Sequence, residues 1–112
     1  MKKILFVCSA NKQRSKTAED YFSEKNSNYE FRSAGTNHKI CNKEGTIPLT
    51  NNLMEWADLV LVMEHRHFKI IKSASGNLYI KKIEILNIPD IYKYYQKELI
   101  TILEDKTKSY LT

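Results

Sequence analysis

The segment KILFVCSANKQRS, Lys3 to Ser15, decides the fold that this sequence predicts. Its first half, Lys3 to Cys8, is a continuous apolar run of strand length, which is typical of a buried parallel strand. A polar loop follows, and apolar residues then recur at helical spacing from Ser15 to Lys25. The segment therefore predicts a strand, a loop and a helix, with the first cysteine at the end of the strand.

Strands and helices continue to alternate along the rest of the chain. The further predicted strands are Tyr29 to Arg32, Ala57 to Met63 and Lys81 to Leu86. The further predicted helices are Glu64 to Ala74, with Gly76 as the stop signal after it, and Gln96 to about Lys106. Asn37 to Asn52 has little periodicity and carries Gly45 and Pro48, which predicts a loop with at most a short helical turn. Alternating strands and helices imply crossover connections. We expect an α/β fold with a small, doubly wound, four-stranded parallel sheet in the order 2-1-3-4, flanked by helices.

Length and charge limit the kinds of function. The 112 residues predict a single domain over positions 1–112. A formal charge of +5 favours an anionic partner such as a phosphorylated substrate, a nucleic acid or an acidic surface, although a solvated lysine-rich surface explains it equally well. The start does not resemble an export signal, and no segment approaches the roughly 20 apolar residues that span a bilayer. We expect a cytoplasmic location, no membrane partner and two free thiols.

The loop after the first strand has the composition of an oxyanion site. In an open α/β sheet, ligands bind beyond the carboxyl ends of the strands, and the N-terminus of a helix adds about half a positive charge there. That field favours the thiolate form of Cys8. The planar guanidinium of Arg14 can bind two phosphate oxygens, and Ser15 can either cap the helix or donate its hydroxyl to the thiolate. Together these residues indicate attack of sulfur on phosphorus, which gives a phosphocysteine.

The loop contains no glycine, although anion-binding loops need residues with positive φ. Asparagine tolerates that conformation best among the other residues. We therefore predict that Asn11 is left-handed and that its amide bridges to a neighbouring hydroxyl of the loop.

The segment ILFVCSANKQRSKTAE resembles the phosphate-binding loop of the low-molecular-weight protein tyrosine phosphatases, with Cys8, Asn11, Arg14 and Ser15 at the family's positions. Three later segments match in order and spacing: SAGT at Ser33 to Thr36, ADLVLVME at Ala57 to Glu64 and IPDIY at Ile88 to Tyr92. The resemblance covers most of the chain, as in a shortened branch of the family.

The resemblance implies a phosphatase that hydrolyses phosphate monoesters, with phosphotyrosine on proteins or a small aryl phosphate as substrate and without a metal or other cofactor. Cys8 would be the nucleophile, and Asp90 would protonate the leaving group, although aspartate after proline is also a common turn residue. The phosphate would be bound by the loop residues Ser9, Ala10, Asn11, Lys12, Gln13, Arg14 and Ser15.

The sequence departs from the family pattern at several positions. The family's glycine, second cysteine and proline are replaced by Ala10, Gln13 and Lys16, so we expect no disulfide within the loop. Lys39 stands about where an aromatic wall is expected, and Tyr92 could wall the cleft instead or simply pack a turn.

Two other functions stay open at this stage. An arsenate reductase on this fold needs further cysteines, and the chain offers only Cys41, which we interpret as an inert thiol, so such a reductase would depend on an external thiol. A silent phospho-binding module is disfavoured because binding alone needs neither a thiol nor an acid. We do not expect a nucleic-acid partner, because no recognised binding motif supports one. We interpret His65 and His67 as surface or rim histidines, since alternate residues of a helix face apart and do not pair on a metal.

Overall fold

The computed structural model describes residues 1–111. Its strands are β1 (Lys2–Cys8), β2 (Tyr29–Gly35), β3 (Leu59–Val62) and β4 (Ile83–Ile85). Its helices are α1 (Arg14–Lys25), α2 (His38–Glu44), α3 (Asn51–Trp56), α4 (His65–Ser75) and α5 (Lys97–Thr107), and a 3-10 turn, Ile80–Lys82, precedes β4.

The four strands form one sheet in the order β2-β1-β3-β4, and every neighbouring pair is parallel. This confirms the predicted topology. In the register, Cys8 lies beside Gly35, and its neighbour Val7 lies beside Val62. The carboxyl ends of β2, β1 and β3 therefore meet at one edge of the sheet, and the loop after Cys8 starts at that edge.

The central strand β1 is buried on both faces, as a strand between two helical layers must be. Ile4 and Phe6 pack into one apolar layer with residues of α1 and α5, including Phe22 and Leu103. The alternate residues of β1 pack into a second layer with α3 and α4; this layer contains Leu5, Val7, Met54, Val60 and Ile71. Among residues 1–111, no helix is long and apolar enough to cross a membrane.

The segment predicted as a loop is where the sequence-based assignment was wrong, because it contains α2 and the first two residues of α3, Asn51 and Asn52. Both short helices begin with a side-chain cap: Asn37 accepts the N–H of Ile40, and Thr50 accepts the N–H of Leu53. Gly45 ends α2 in the left-handed conformation, with φ 73°. Capping thus compensates for weak periodicity in helices of seven and six residues.

The strands also differ in length from their predicted bounds. β2 continues past Arg32 to Gly35, whereas β3 and β4 are shorter than predicted, and Lys81 and Lys82 belong to the 3-10 turn. The extra residues of β2 pair with the end of β1, up to Cys8 beside Gly35. This extension brings the SAGT segment against the loop that follows Cys8.

Gly35 is required by close packing at this point. A Cβ atom at position 35 would lie 2.4 Å from the carbonyl oxygen of Ser9, 2.5 Å from the sulfur of Cys41 and 2.9 Å from the amide nitrogen of Asn11. Two of these three atoms belong to the backbone of the loop after β1. Any larger residue would therefore push the loop away from the sheet edge.

We predict that Gly35→Ala lowers the free energy of unfolding by about 1–3 kcal/mol, the usual cost of overpacking. Gly45→Ala is the matched control, because a Cβ atom there meets nothing within 4 Å and adds only the strain of positive φ. Urea unfolding measures both. Equal losses for the two variants would contradict the packing explanation.

Candidate active site

A cavity of about 300 Å³ opens at the carboxyl edge of the sheet. It is lined by Cys8, Ser9, Ala10, Lys12, Gln13, Arg14, Asn37, Ile40, Arg66 and Asp90. The structure therefore brings together the cysteine, the arginine and the aspartate that the sequence analysis singled out, although Asp90 is 76 residues beyond Arg14 in the chain.

Asn11 lies beneath the cavity and supports the loop. Its φ of 54° confirms the predicted left-handed conformation. Its side-chain amide donates to Ser15 Oγ at 2.9 Å, and its Oδ1 accepts the N–H of Ile47 at 3.1 Å. Asn11 is 2% exposed and Ser15 is fully buried, so these two predicted phosphate-binding residues do not line the cavity. Their side chains hold the loop from below.

The hydroxyl of Ser15 lies 3.0 Å from the sulfur of Cys8. Gln13, and not Ser15, is the N-cap residue of α1. Because the Ser15 oxygen accepts the Asn11 amide, its own hydrogen is free to point at the sulfur. Of the two roles that the sequence left open for Ser15, the geometry fits donation to the thiolate.

The guanidinium of Arg14 is almost completely buried and is held from two sides. Its NH1 donates to Glu64 Oε2 at 2.5 Å and to the carbonyl oxygen of Ile88 at 2.8 Å. Its Nε lies 3.8 Å from Asp90 Oδ1, and the Asp90 side chain is 53% exposed. Arg14 is thus fixed through NH1, while its Nε edge faces the carboxylate that follows Pro89.

Glu64 is a site residue that the sequence analysis missed. Besides Arg14, its Oε2 accepts hydrogen bonds from Arg66 Nε at 3.2 Å and Arg66 NH2 at 2.9 Å. Burial raises the pKa of Glu64, but the hydrogen bonds from the two arginines outweigh this and lower the pKa. Glu64 therefore stays ionised and balances the buried charge of Arg14. Its place directly after a buried strand was the available signal.

His67 corrects the interpretation of both histidines as surface residues. It is completely buried, and its Nε2 lies 3.0 Å from Ser9 Oγ. Its Nδ1 accepts the backbone N–H of Glu64 at 3.0 Å. Burial, followed by the charges of Arg14 and Arg66, lowers the pKa of His67 to about 4. The ring is therefore neutral at physiological pH, whereas His65 is exposed.

Neither residue predicted to wall the cleft lines the cavity. Lys39 is exposed on α2, and its neighbour Ile40 faces the cavity instead. Tyr92 packs against the apolar layer formed by α1 and α5. The wall is therefore aliphatic where an aromatic ring was expected, because α2 turns Ile40 and not Lys39 towards the loop.

Cys41 lies behind the loop. It is fully buried, and its sulfur is 3.8 Å from the carbonyl oxygen of Ser9 and 3.5 Å from that of Ala10. Both cysteines are free thiols. Within residues 1–111, no group of three or more His, Cys, Asp or Glu side chains could hold a metal ion.

Comparison with known proteins agrees with this geometry. No family model matches the chain. The protein-arginine-phosphatase of Bacillus subtilis (strain 168) is 38% identical over 94 residues, which cover 65% of this chain. The match spans only 63% of the length of that relative.

Solved structures match over nearly the whole chain. A YwlE arginine phosphatase variant with a phosphorylated active-site serine has a TM-score of 0.66 at 27% identity, and the match covers 96% of this chain and 97% of that one. A low-molecular-weight protein tyrosine phosphatase from Streptococcus pyogenes shares the fold, with a TM-score of 0.78 at 19% identity over 100% of this chain and 95% of that one. These findings confirm the resemblance to the low-molecular-weight protein tyrosine phosphatases.

The buried, neutral His67 predicts acid-sensitive stability. In the unfolded chain His67 binds a proton near its ordinary pKa of 6.5, whereas in the folded chain it does so only near pH 4. Its contribution to folding is therefore complete above pH 6.5 and is lost progressively as the pH falls towards 4.

We expect the free energy of unfolding, measured in urea, to decrease over that interval. The decrease should be shallower in His67→Gln, whose amide does not titrate. His65→Gln is the control and should keep the slope of the parent. An unchanged slope in His67→Gln would contradict the assignment of His67 as the titrating group.

Proposed function

We propose that this chain is a cysteine-dependent phosphatase that hydrolyses phosphate monoesters through a phosphocysteine intermediate. The observation that carries the proposal is the position of the Cys8 sulfur. It lies in the lining of the cavity, 3.0 Å from the Ser15 hydroxyl, and Arg14 and Asp90 line the same cavity. These are a nucleophile, a thiolate-stabilising donor, an anion-binding cation and an acid.

In the first step the Cys8 thiolate attacks phosphorus, and a sulfur–phosphorus bond forms as the bond to the leaving oxygen breaks. Asp90, protonated at this stage, donates its proton to that oxygen, because an unprotonated leaving group departs slowly. The loop amides and the Nε edge of Arg14 bind the phosphoryl oxygens, where charge is greatest in the transition state.

In the second step the Asp90 carboxylate accepts a proton from a water molecule that attacks phosphorus. The sulfur–phosphorus bond breaks, its electron pair returns to Cys8, and inorganic phosphate leaves. The partial exposure of Asp90 fits this role, since its side chain must reach both the leaving group and water.

The relatives support this reaction class. The 38% identical relative is named a protein-arginine-phosphatase, and the YwlE structure carries phosphate on its active-site residue. A phosphorylated protein is therefore the proposed partner of this chain, and the reaction requires no cofactor.

Two phosphorylated side chains are candidates for the substrate. Phosphotyrosine is the candidate that the loop resemblance implies. Phosphoarginine is the second; it is a phosphoramidate and not a monoester, so in its hydrolysis the leaving atom that takes the proton from Asp90 would be nitrogen. It is favoured by the name of the 38% identical relative and by the wall of the cavity. The hydrophobic wall is formed by the aliphatic Ile40, and none of the described residues that line the cavity is aromatic, so the lining offers no ring for a tyrosine to stack on.

The arsenate reductase alternative receives no support from Cys41. A reductase of this kind needs a second thiol that can reach the first, whereas the sulfur of Cys41 is buried against the carbonyl oxygens of Ser9 and Ala10. Thiol-dependent loss of arsenate would favour that alternative nonetheless, and the assay below includes it.

Cys8→Ser should abolish turnover and leave binding of inorganic phosphate largely intact, because the loop and Arg14 remain. The measurement is phosphate release from p-nitrophenyl phosphate, a phosphotyrosine peptide and a phosphoarginine peptide, with an arsenate arm. Cys41→Ser is the matched control and should remain active. Residual hydrolysis near the parent rate in Cys8→Ser would remove the nucleophile assignment, and the ratio of the two peptide rates identifies the substrate.

Asp90→Asn should slow hydrolysis of substrates with poor leaving groups by about 10²–10⁴-fold and spare activated aryl phosphates, because only poor leaving groups need the proton. The rates are measured for a series of aryl phosphates of increasing leaving-group pKa. Asp105→Asn, an exposed carboxylate on α5, is the control. An equal loss of hydrolysis rate in Asp90→Asn for every substrate of the series would contradict the role of Asp90 as an acid.

A further inference from the structure

The side-chain hydroxyl of Ser9 has no part in the reaction described so far, although Ser9 directly follows the nucleophile. Ser9 lines the cavity together with Cys8 and Arg14. Its Oγ lies 3.0 Å from Nε2 of the buried His67, which is 58 positions along the chain. The hydroxyl of a residue that lines the cavity is thus joined to an imidazole that lies outside the cavity lining.

The contacts of His67 determine which of its nitrogens carries the hydrogen. The group facing Nδ1, at 3.0 Å, is the backbone N–H of Glu64, and an N–H can only donate. Nδ1 must therefore be the acceptor. A neutral imidazole then has its hydrogen on Nε2, so His67 donates to the oxygen of Ser9.

The charged groups around the ring keep it in this state. Arg14 from α1 and Arg66 from α4 oppose protonation, whereas the Glu64 and Asp90 carboxylates favour it. Burial has the largest effect on the pKa of His67, the two cations add to it, and the ring stays neutral. A protonated ring would also have no lone pair left for the N–H of Glu64.

The direction of this hydrogen bond fixes the polarity of the hydroxyl. Because the oxygen of Ser9 accepts from His67, the hydroxyl hydrogen must be offered to another acceptor. Ser9 lines the cavity that would hold the phosphoryl group, and the oxygens of that group are acceptors only. A bound phosphate is thus a partner of the right polarity in the right place.

We infer that the Ser9 hydroxyl is an additional donor to the phosphoryl group and that His67 is the positioning residue that sets its polarity. The inference rests on the proposed function, which supplies the phosphoryl group. Glu64 links both side-chain donors, since its carboxylate holds Arg14 and its backbone N–H orients His67. The connection between β3 and α4 therefore aims two hydrogen-bond donors at one ligand.

The first arm of the test is Ser9→Ala. Binding of inorganic phosphate is measured by isothermal titration calorimetry, and kcat and KM are measured with p-nitrophenyl phosphate. We expect roughly tenfold weaker phosphate binding, as befits one hydrogen bond to a charged group. Thermal unfolding is followed in parallel and should stay near that of the parent.

The second arm separates positioning from packing at His67. The amide nitrogen of glutamine reaches about as far as Nε2, whereas the asparagine amide reaches only as far as Nδ1. We expect His67→Gln to keep phosphate affinity near that of the parent and His67→Asn to lose as much as Ser9→Ala. In the Ser9→Ala background, the variants with His67→Gln and with His67→Asn should bind phosphate with equal affinity, because the hydroxyl that His67 positions is absent. His65→Asn, an exposed histidine of the same helix, is the control and should bind as the parent does.

The outcomes distinguish the inference from the proposed function. Unchanged phosphate affinity in Ser9→Ala, beside a parent that binds and turns over, overturns the inference alone. Equal losses in folded His67→Gln and His67→Asn overturn the positioning role. A parent that neither binds phosphate nor hydrolyses p-nitrophenyl phosphate overturns the proposed function itself. Should both His67 variants fail to fold, the phosphate affinity of Ser9→Ala decides whether the Ser9 hydroxyl is a donor to the phosphoryl group.

Discussion

A loop that offers its amides to an anion, as proposed for the loop after Cys8, cannot use them for its own hydrogen bonds, and the structure around Cys8 meets this constraint. The loop must be held through its carbonyl oxygens and side chains by other segments. The N–H groups of Thr36 and Asn37 bind the carbonyl oxygens of Cys8 and Ser9, each at 2.9 Å, and the Thr46 hydroxyl binds that of Ala10. The segment after β2 and the segment after α2 thus hold the start of the loop through these carbonyl oxygens.

The close approach of β2 to the loop restricts which residue can occupy the end of this strand. Only glycine fits at position 35, because any Cβ atom there would collide with the loop backbone and with Cys41. Within the loop, Asn11 takes the left-handed conformation that glycine usually supplies, and its side chain joins Ser15 to Ile47. One residue therefore provides both the turn and the link between the loop and the segment after α2.

Charge is the second constraint, since burying the guanidinium of Arg14 requires a partner. Glu64 supplies it, and the same carboxylate oxygen also accepts a hydrogen bond from Arg66. This arrangement fixes Arg14 before any ligand binds, so little side-chain freedom remains to be lost on binding. Burial and the same cations keep His67 neutral, and the contribution of Arg14 couples the protonation state of the ring to that arginine.

The sequence by itself determined what contiguous residues encode. The apolar run of β1, the loop and the helix are local features, and their alternation along the chain was enough for the parallel order 2-1-3-4. The left-handed Asn11 followed from residue type, because few side chains tolerate positive φ. Cys8, Arg14 and Asp90 were predicted as site residues from the loop and from the family resemblance, and the structure brings them together in one cavity.

Only the tertiary structure decided which distant side chains complete the cavity. The rotation of α4 buries His67 and exposes His65, and the cap at Asn37 orients α2 so that Ile40, and not Lys39, faces the loop. A shift of one residue turns a helical side chain by about 100°, so a sequence pattern too weak to define a helix cannot say which neighbour faces inward. Packing against the sheet fixes that angle, and for this reason Glu64, His67 and Ile40 emerged as parts of the site only in three dimensions.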